Sequence, residues 1–301
     1  MAEKQHEPVL VAEVVKLLSG AHTVLDMTVG TGGHAQALLD ARVERVVGVD
    51  RDPEALGAAS RRLARFGDRF VGVPARFSEV SRIAAEAGVR AVDGILYDLG
   101  VSSLHLDRPE RGFSYRTGGP LDMRMGPEGP TAADVVNGYP EEELVRILRE
   151  YGEERHARRI AGAIVRARTR KPLETTAELA AVVAGAVPRR RGGAHPARRT
   201  FQAIRIEINR ELEELGASLP QAAELLAPGG RLVAISYHSL EDRIVKRFLV
   251  AEEQAQRLRV LTKKPVRPGE SEAARNPRAR SAKLRSAERL HSEPSAPGEE
   301  I

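Results

Sequence analysis

The chain contains no cysteine. That excludes disulfides and thiolate metal sites, and it fits a reducing cytosol. Its eight histidines show no ligand spacing such as H-x-x-x-H, so no structural metal is expected. No apolar stretch approaches the ~20 residues that a membrane span requires. The N-terminus lacks the basic-then-apolar order of a signal peptide. The expectation is a soluble, cytoplasmic protein with no membrane partner.

What is present has more to say. At 301 residues and 42% hydrophobic, the chain suits one large α/β domain or a core with a smaller insert. The formal charge of +5 points to a polyanionic partner and not to any particular fold. An apolar run from Thr23 to Val29 ends in Gly30-Thr-Gly-Gly-His34, and a helix-compatible segment follows. Twenty residues past Gly30, a second apolar run ends in Asp50. Strand, glycine turn, helix and an acid at the tip of the next strand make a nucleoside-binding half-fold. The glycines let backbone N–H groups approach a ligand, and Asp50 is placed to accept from ribose hydroxyls. Gly30, Gly32 and Ala35 also satisfy the dinucleotide form G-x-G-x-x-A, so NAD stays in play. The plainer alternative is a tight turn and a helix-capping Asp50.

Further along, strands are expected near 24–29, 45–49, 70–73 and 94–98, with helices at 8–18, 53–66 and 78–87. The alternation predicts a parallel, doubly wound sheet. Residues 105–130 read as a long ordered loop. Helices follow near 131–137, 140–151, 153–169 and 175–187, the last opened by a Thr175-x-x-Glu178 capping box. They read as a helical domain inserted into the sheet fold and closed by a basic loop, 188–199, with five arginines and no acid. Helices at 201–215 and 218–227 then lead to a turn and strand five, ending at Ser236. A helix at 240–254 and a hairpin of 257–262 with 282–288 complete the sheet. Between them 263–281 reads as a mobile link, and the tail from 292 as disordered.

In such sheets the ligand lies at the carboxyl ends of the strands. Asp98, at the tip of strand four, is the best candidate for chemistry: it can orient a ligand cation or accept a proton. Its bland alternative is a helix cap. Phe77 is placed to stack on an adenine, while Tyr237 and His238 can face a substrate base or serve only as packed loop residues. His34 contributes through its backbone more readily than through its ring. Arginines such as Arg198 and Arg199 suit phosphate contacts, as do the fourteen Lys/Arg, against five Asp/Glu, of 243–290.

These residues resemble a known family. The motifs are His6-x-Pro8-Val-Leu, Gly30-Thr-Gly-Gly-His34, Asp50-Arg-Asp-Pro53, Asp98-Leu-Gly-Val-Ser-Ser103, Glu110-Arg-Gly-Phe-Ser114 and Gly119-Pro-Leu-Asp-Met-Arg-Met125. They continue with Tyr151-Gly-Glu-Glu-Arg155, His195-Pro-Ala-x-Arg-Thr-Phe-Gln-Ala203, Ser239-Leu-Glu-Asp-Arg-Ile-Val-Lys-Arg-Phe248 and Asn276-Pro-Arg-Ala-Arg-Ser281. In order and almost end to end, they are similar to the bacterial 16S rRNA cytosine-N4 methyltransferases, which use S-adenosylmethionine. The resemblance implies a Rossmann-like methyltransferase core over 1–105 and 201–301. It also implies a helical RNA-recognition insert over 106–200. The cofactor contacts it implies are Gly32, Gly33, His34, Asp50, Phe77, Asp98 and position 105. The family commonly has glutamine at that last position and this chain has His105, whose imidazole still makes one hydrogen bond.

The implied target is a cytidine in the decoding region of 16S rRNA, in the small ribosomal subunit. The base must leave its stack, and Phe113, Tyr115 or Tyr237 could hold it. Asp98, or a backbone carbonyl of 99–101, would take the amine proton. Three other functions remain as alternatives: an NAD-dependent oxidoreductase, a non-catalytic ribosome-assembly factor and a small-molecule methyltransferase.

Overall fold

The computed structural model describes residues 8–188 and 195–291. His6, the Arg189–Arg191 run of the basic loop and the tail from 292 lie outside the described residues. The chain forms two compact units, Met1–Gly100 with Glu214–Ile301, and Val101–Glu213. The first unit starts with α1 (Val11–Leu18), β1 (Thr23–Asp26), α2 (Gly33–Asp40), β2 (Arg45–Asp50), α3 (Pro53–Leu63), β3 (Phe70–Pro74), α4 (Val80–Glu86) and β4 (Val92–Asp98). The second unit carries α5 (Ser103–Asp107), α6 (Ala132–Gly138), α7 (Glu141–Glu150), α8 (Ala157–Arg170), α9 (Thr176–Ala186) and α10 (Arg198–Asn209). Helix α11 (Glu211–Leu225) leads back to the first unit, which closes with β5 (Leu226–Ser236), α12 (Ser239–Gln254), β6 (Leu258–Val260), α13 (Glu270–Arg275) and β7 (Lys283–Arg289).

The sheet order is β3-β2-β1-β4-β5-β7-β6. Strands β1 to β5 pair in parallel, and β7 runs antiparallel between β5 and β6. Both faces of a parallel sheet are covered, which is why its strands read as near-continuous apolar runs. Successive residues then feed opposite faces. Leu25, Val47, Ile95 and Tyr97 pack on one side with Ile83, Leu219 and Val245. Val24, Val46, Leu96 and Val233 pack on the other with Leu18, Leu38 and Leu63. The order reverses between β1 and β4, and this switch point opens the crevice in which an α/β sheet binds its ligand.

The second unit is helical around its own core of Val135, Ile147, Ile160, Leu179, Phe201 and Ile204. The Thr175–Glu178 capping box is formed, and Thr131 with Asp134 makes another at α6. Helix α10 belongs to this core through Phe201, Ile204 and Ile208. The helical unit therefore runs to Glu213, beyond the boundary near 200 expected from sequence.

Four local expectations change. The stretch 105–130 is not all loop: its first residues, to Asp107, complete α5, which Ser102 caps, and it contains a 3-10 turn at Pro109–Arg111. Helix α8 starts at Ala157 and not near 153, because Glu153 turns the chain with φ 46°. The break between α10 and α11 falls at Arg210, in the left-handed region at φ 52°, and α11 continues through Pro220. The 263–281 link is tied down: Glu272 Oε1 accepts from Leu10 N–H at 2.8 Å, and Val266 pairs with Leu284.

Candidate active site

The carboxyl ends of β1, β2 and β4 bring three acids together. Asp50 accepts from the Gly30 N–H at 3.0 Å and the Asp52 N–H at 2.8 Å. The acid at the tip of β2 thus fixes the shape of the glycine turn, a role that sequence alone did not assign it. Gly30 and Gly32 have φ of 51° and 81°, a conformation that favours glycine. Gly32 caps α2 without a side-chain acceptor, so no side chain offsets the positive end of α2 from within its own cap. At Gly33 a Cβ would come within 2.5 Å of Pro8 Cγ, so the turn has no room for a larger residue.

Asp98 is held on both sides. The Tyr237 hydroxyl donates to Oδ1 at 2.7 Å, and His34 Nε2 lies 3.3 Å from Oδ2. The Asp98 N–H donates to Thr28 Oγ1 at 2.6 Å, locking β4 to the end of β1. The Asp98 side chain is 24% exposed and that of His34 6%, so the carboxylate is the accessible member of the pair. Neither ring nitrogen of His34 has a hydrogen bond of good geometry. Burial alone would lower the His34 pKa. The contact with Asp98, and then the charges of Asp26 and Glu272, outweigh burial and raise it.

Asp26 is 1% exposed, and it accepts from the Thr28 N–H at 3.2 Å. Burial pushes its carboxyl up to about 7; His34 pulls the other way, and Asp98 and Asp50 add to the rise. Sequence reasoning missed Asp26 because an acid at the end of an apolar strand reads as the first residue of a turn. Its signal was the spacing Asp26-x-Thr28, which ties it to the glycine loop.

Phe77 sits past β3, edge-on to Tyr97 at 6.1 Å. Its carbonyl accepts from Ser218 Oγ at 2.6 Å, and Ser218 is within 2.5 Å of the Tyr97 hydroxyl. Tyr237 has its hydroxyl on Asp98 and its ring 3.4 Å from the Cβ position of Gly100. His238 is the N-cap of α12. Its Nδ1 accepts from the Glu241 N–H at 3.4 Å, and its Nε2 lies 3.0 Å from Glu241 Oε1. The ring is therefore engaged in a helix cap.

The other sequence candidates belong to the second unit. His105 is buried and stacks on Phe113, with ring centroids 4.7 Å apart and planes inclined at 23°. Phe113 is itself a core residue there, 6% exposed, so it supports a neighbouring ring and offers no open face to a base. Arg198 and Arg199 are exposed at the start of α10, and Arg199 also donates to the Glu153 carbonyl at 3.0 Å. Tyr115 stacks on His195.

An open helix terminus, a glycine cradle, acids at the tips of β2 and β4 and a sheet of this order define a Rossmann-like methyltransferase core. Comparison with known proteins agrees. Residues 3–290 match the MraW methylase family, and the chain belongs to it. It is 50% identical over 307 residues to the ribosomal RNA small subunit methyltransferase H of Carboxydothermus hydrogenoformans, covering 96% of this chain and 99% of that one. The proteins of the same name from Acidiphilium cryptum and Geobacter sulfurreducens are each 51% identical. The matches span 95% of this chain and 97% and 99% of theirs. The chain is an S-adenosylmethionine-dependent methyltransferase.

Proposed function

We propose that this enzyme methylates the exocyclic N4 of a cytidine in the decoding region of 16S rRNA, within the small ribosomal subunit. The relatives' names supply the RNA. The observation that supports the chemistry is Asp98, a partly exposed carboxylate held by Tyr237 and His34 at the switch point of the sheet. The residues that would hold the cofactor are Gly32, Gly33, His34, Asp50, Phe77 and Asp98 of the first unit. The uncapped α2 terminus and the orphaned His34 nitrogens fit such a ligand.

When bound, the cofactor supplies a methyl group already activated on a sulfonium. The cytosine amine is a weak nucleophile, since its lone pair is delocalised into the ring. The protein's main tasks are then in-line placement and removal of the amine proton. Asp98 performs the second. One oxygen is fixed by the Tyr237 hydroxyl and the other faces His34, so the carboxylate cannot rotate away from the amine. The basic residues of the chain, Arg198 and Arg199 among them, supply phosphate contacts that position the RNA. The helical unit is the RNA-recognition element in this reading.

The test is methyl transfer from labelled S-adenosylmethionine to small subunits lacking the modification, with mass spectrometry of the digested nucleosides. N4-methylcytidine at a single site is the expected product. Asp98→Ala should lower kcat by at least ~10²-fold, the range of a lost general base, while leaving the folded state intact by circular dichroism. Near wild-type turnover in that variant would remove Asp98 from the mechanism.

A further inference from the structure

The site holds an ionisable cluster that methyl transfer alone does not require. His34 lies inside it, 6% exposed, with Nε2 3.3 Å from Asp98 Oδ2 and Nδ1 without a hydrogen-bond partner. The groups that face it are Asp98 from β4, Asp26 from β1 and Glu272 from α13, and Tyr237 joins through Asp98. Among the described residues, the charges acting most strongly on this imidazole are acids. They favour its protonated form against the cost of burial.

We infer that His34 is a resident cation which a cationic ligand displaces, so that the sulfonium cofactor binds with release of the His34 proton and its neutral thioether product does not. The inference rests on the cofactor lying over Gly32–His34 and Asp98, as proposed above. The step is a proton transfer from imidazolium to solvent, leaving neutral imidazole. No other bond changes.

The physical reason is charge balance. Asp98, joined by Asp26 when that carboxyl is ionised, stabilises one positive charge in a poorly solvated space, and a second one raises the energy of both. The deprotonation of His34 relieves that repulsion. S-adenosylhomocysteine has no sulfonium, so it leaves the imidazolium in place. His34 therefore sets the balance between cofactor and product in a pH-dependent way, against the sulfonium for as long as it is protonated. While His34 is protonated in the free enzyme, each step of one in falling pH weakens the sulfonium ligand by up to about tenfold relative to the thioether. Above the His34 pKa the discrimination becomes constant.

Isothermal titration of the intact protein with each ligand, in phosphate, Hepes and Tris at pH 6.5, counts the protons released. The expected result is a release approaching one proton per site for S-adenosylmethionine and a much smaller one for S-adenosylhomocysteine. His34→Asn should abolish the difference while Asp26→Asn retains it. Histidine-selective NMR of the ligand-free protein should find His34 still protonated above pH 6.5, and less so in Asp98→Asn. Equal release by the two ligands, or no release with binding intact, would overturn the inference. So would release that survives in His34→Asn and disappears in Asp26→Asn, since the proton then belongs to Asp26. Failure of both ligands to bind would instead overturn the cofactor reading beneath it.

Discussion

Asp26 is a carboxyl whose burial raises its pKa to about 7 in the folded state, from an ordinary value near 4 in the unfolded chain. The folded state therefore holds the proton more tightly. The associated stability is fully present below pH 4, declines between pH 4 and 7, and is absent above. Asp26→Asn keeps the acceptor for the Thr28 N–H and removes the titration. The variant should be more stable than wild type at pH 8, by roughly 1–4 kcal/mol, since a tenfold change in proton affinity is worth about 1.4 kcal/mol and His34 offsets part of the cost. At pH 4 the two proteins should melt together. Melting temperatures at the two pH values check this, and an equal difference at both would contradict it. That a functional site carries such a group is expected, because active sites place strained or poorly solvated acids where charge has to be handled. Asp50 and Asp98 were legible in the sequence because each ends an apolar strand at a predictable spacing from the glycine turn. Asp26 was passed over as the first residue of a turn, and the Tyr237–Asp98 hydrogen bond has no local spacing to announce it. The Tyr237–Asp98 bond joins residues 139 positions apart.

Among the elements, α12 shows how a cap can position a site. Glu241 is 2% exposed, and its Oε2 accepts from the N–H groups of Tyr237 and His238 at 2.8 and 3.2 Å. The helix start is thereby fastened to the end of β5, which sets the direction of the Tyr237 ring toward Asp98. Glu241→Ala leaves two amides without that acceptor and should cost about 2–3 kcal/mol in urea unfolding, more than an exposed cap would. Methyl transfer should fall further than stability explains, because Tyr237 loses its anchor. Glu253→Ala on the same helix removes only an exposed contact to the Val260 N–H. It should cost under about 1 kcal/mol and leave transfer unchanged. Comparable losses in the two variants would remove the positioning role of Glu241. The helix itself was readable from its apolar spacing. The role of His238 was not: a histidine after a strand reads as a substrate contact, and only the return of Glu241 to the backbone turns it into a cap. Likewise, the parallel, doubly wound sheet followed from alternating apolar runs, whereas the break at Arg210 did not, because a left-handed arginine leaves no mark in composition.

For the whole molecule, the charge balance bears on how the two ligands are bound. The chain carries 47 Lys and Arg against 42 Asp and Glu, yet many of these pair with one another. Arg82 bridges Glu79 and Glu86, Arg146 bridges Glu143 and Glu150, and Glu288 joins Arg231 and Arg259. Such surface pairs contribute little to stability, but they cancel the local field. Positive charge gathers locally in the middle of α12, where Arg243, Lys246 and Arg247 are exposed together. The acids of its first turn, Glu241 and Asp242, face inward, Asp242 toward Lys283 and Arg285. A polyanion bound by such charges releases counterions as it binds, whereas the nucleoside cofactor, in the proposed site, is held by glycine amides and by acids. The two affinities should separate with salt. With about four phosphate contacts, the logarithm of kcat/KM for small subunits should fall against the logarithm of salt concentration with a slope of about −3. Over the same range, the Kd for S-adenosylhomocysteine, which brings no net charge to the site, should stay nearly constant. Steady-state rates from about 50 to 200 mM salt, with calorimetry of the cofactor product beside them, decide the matter. A flat kcat/KM would mean that the basic surface does not hold RNA. A parallel fall in both would place the salt-sensitive contacts in the cofactor site.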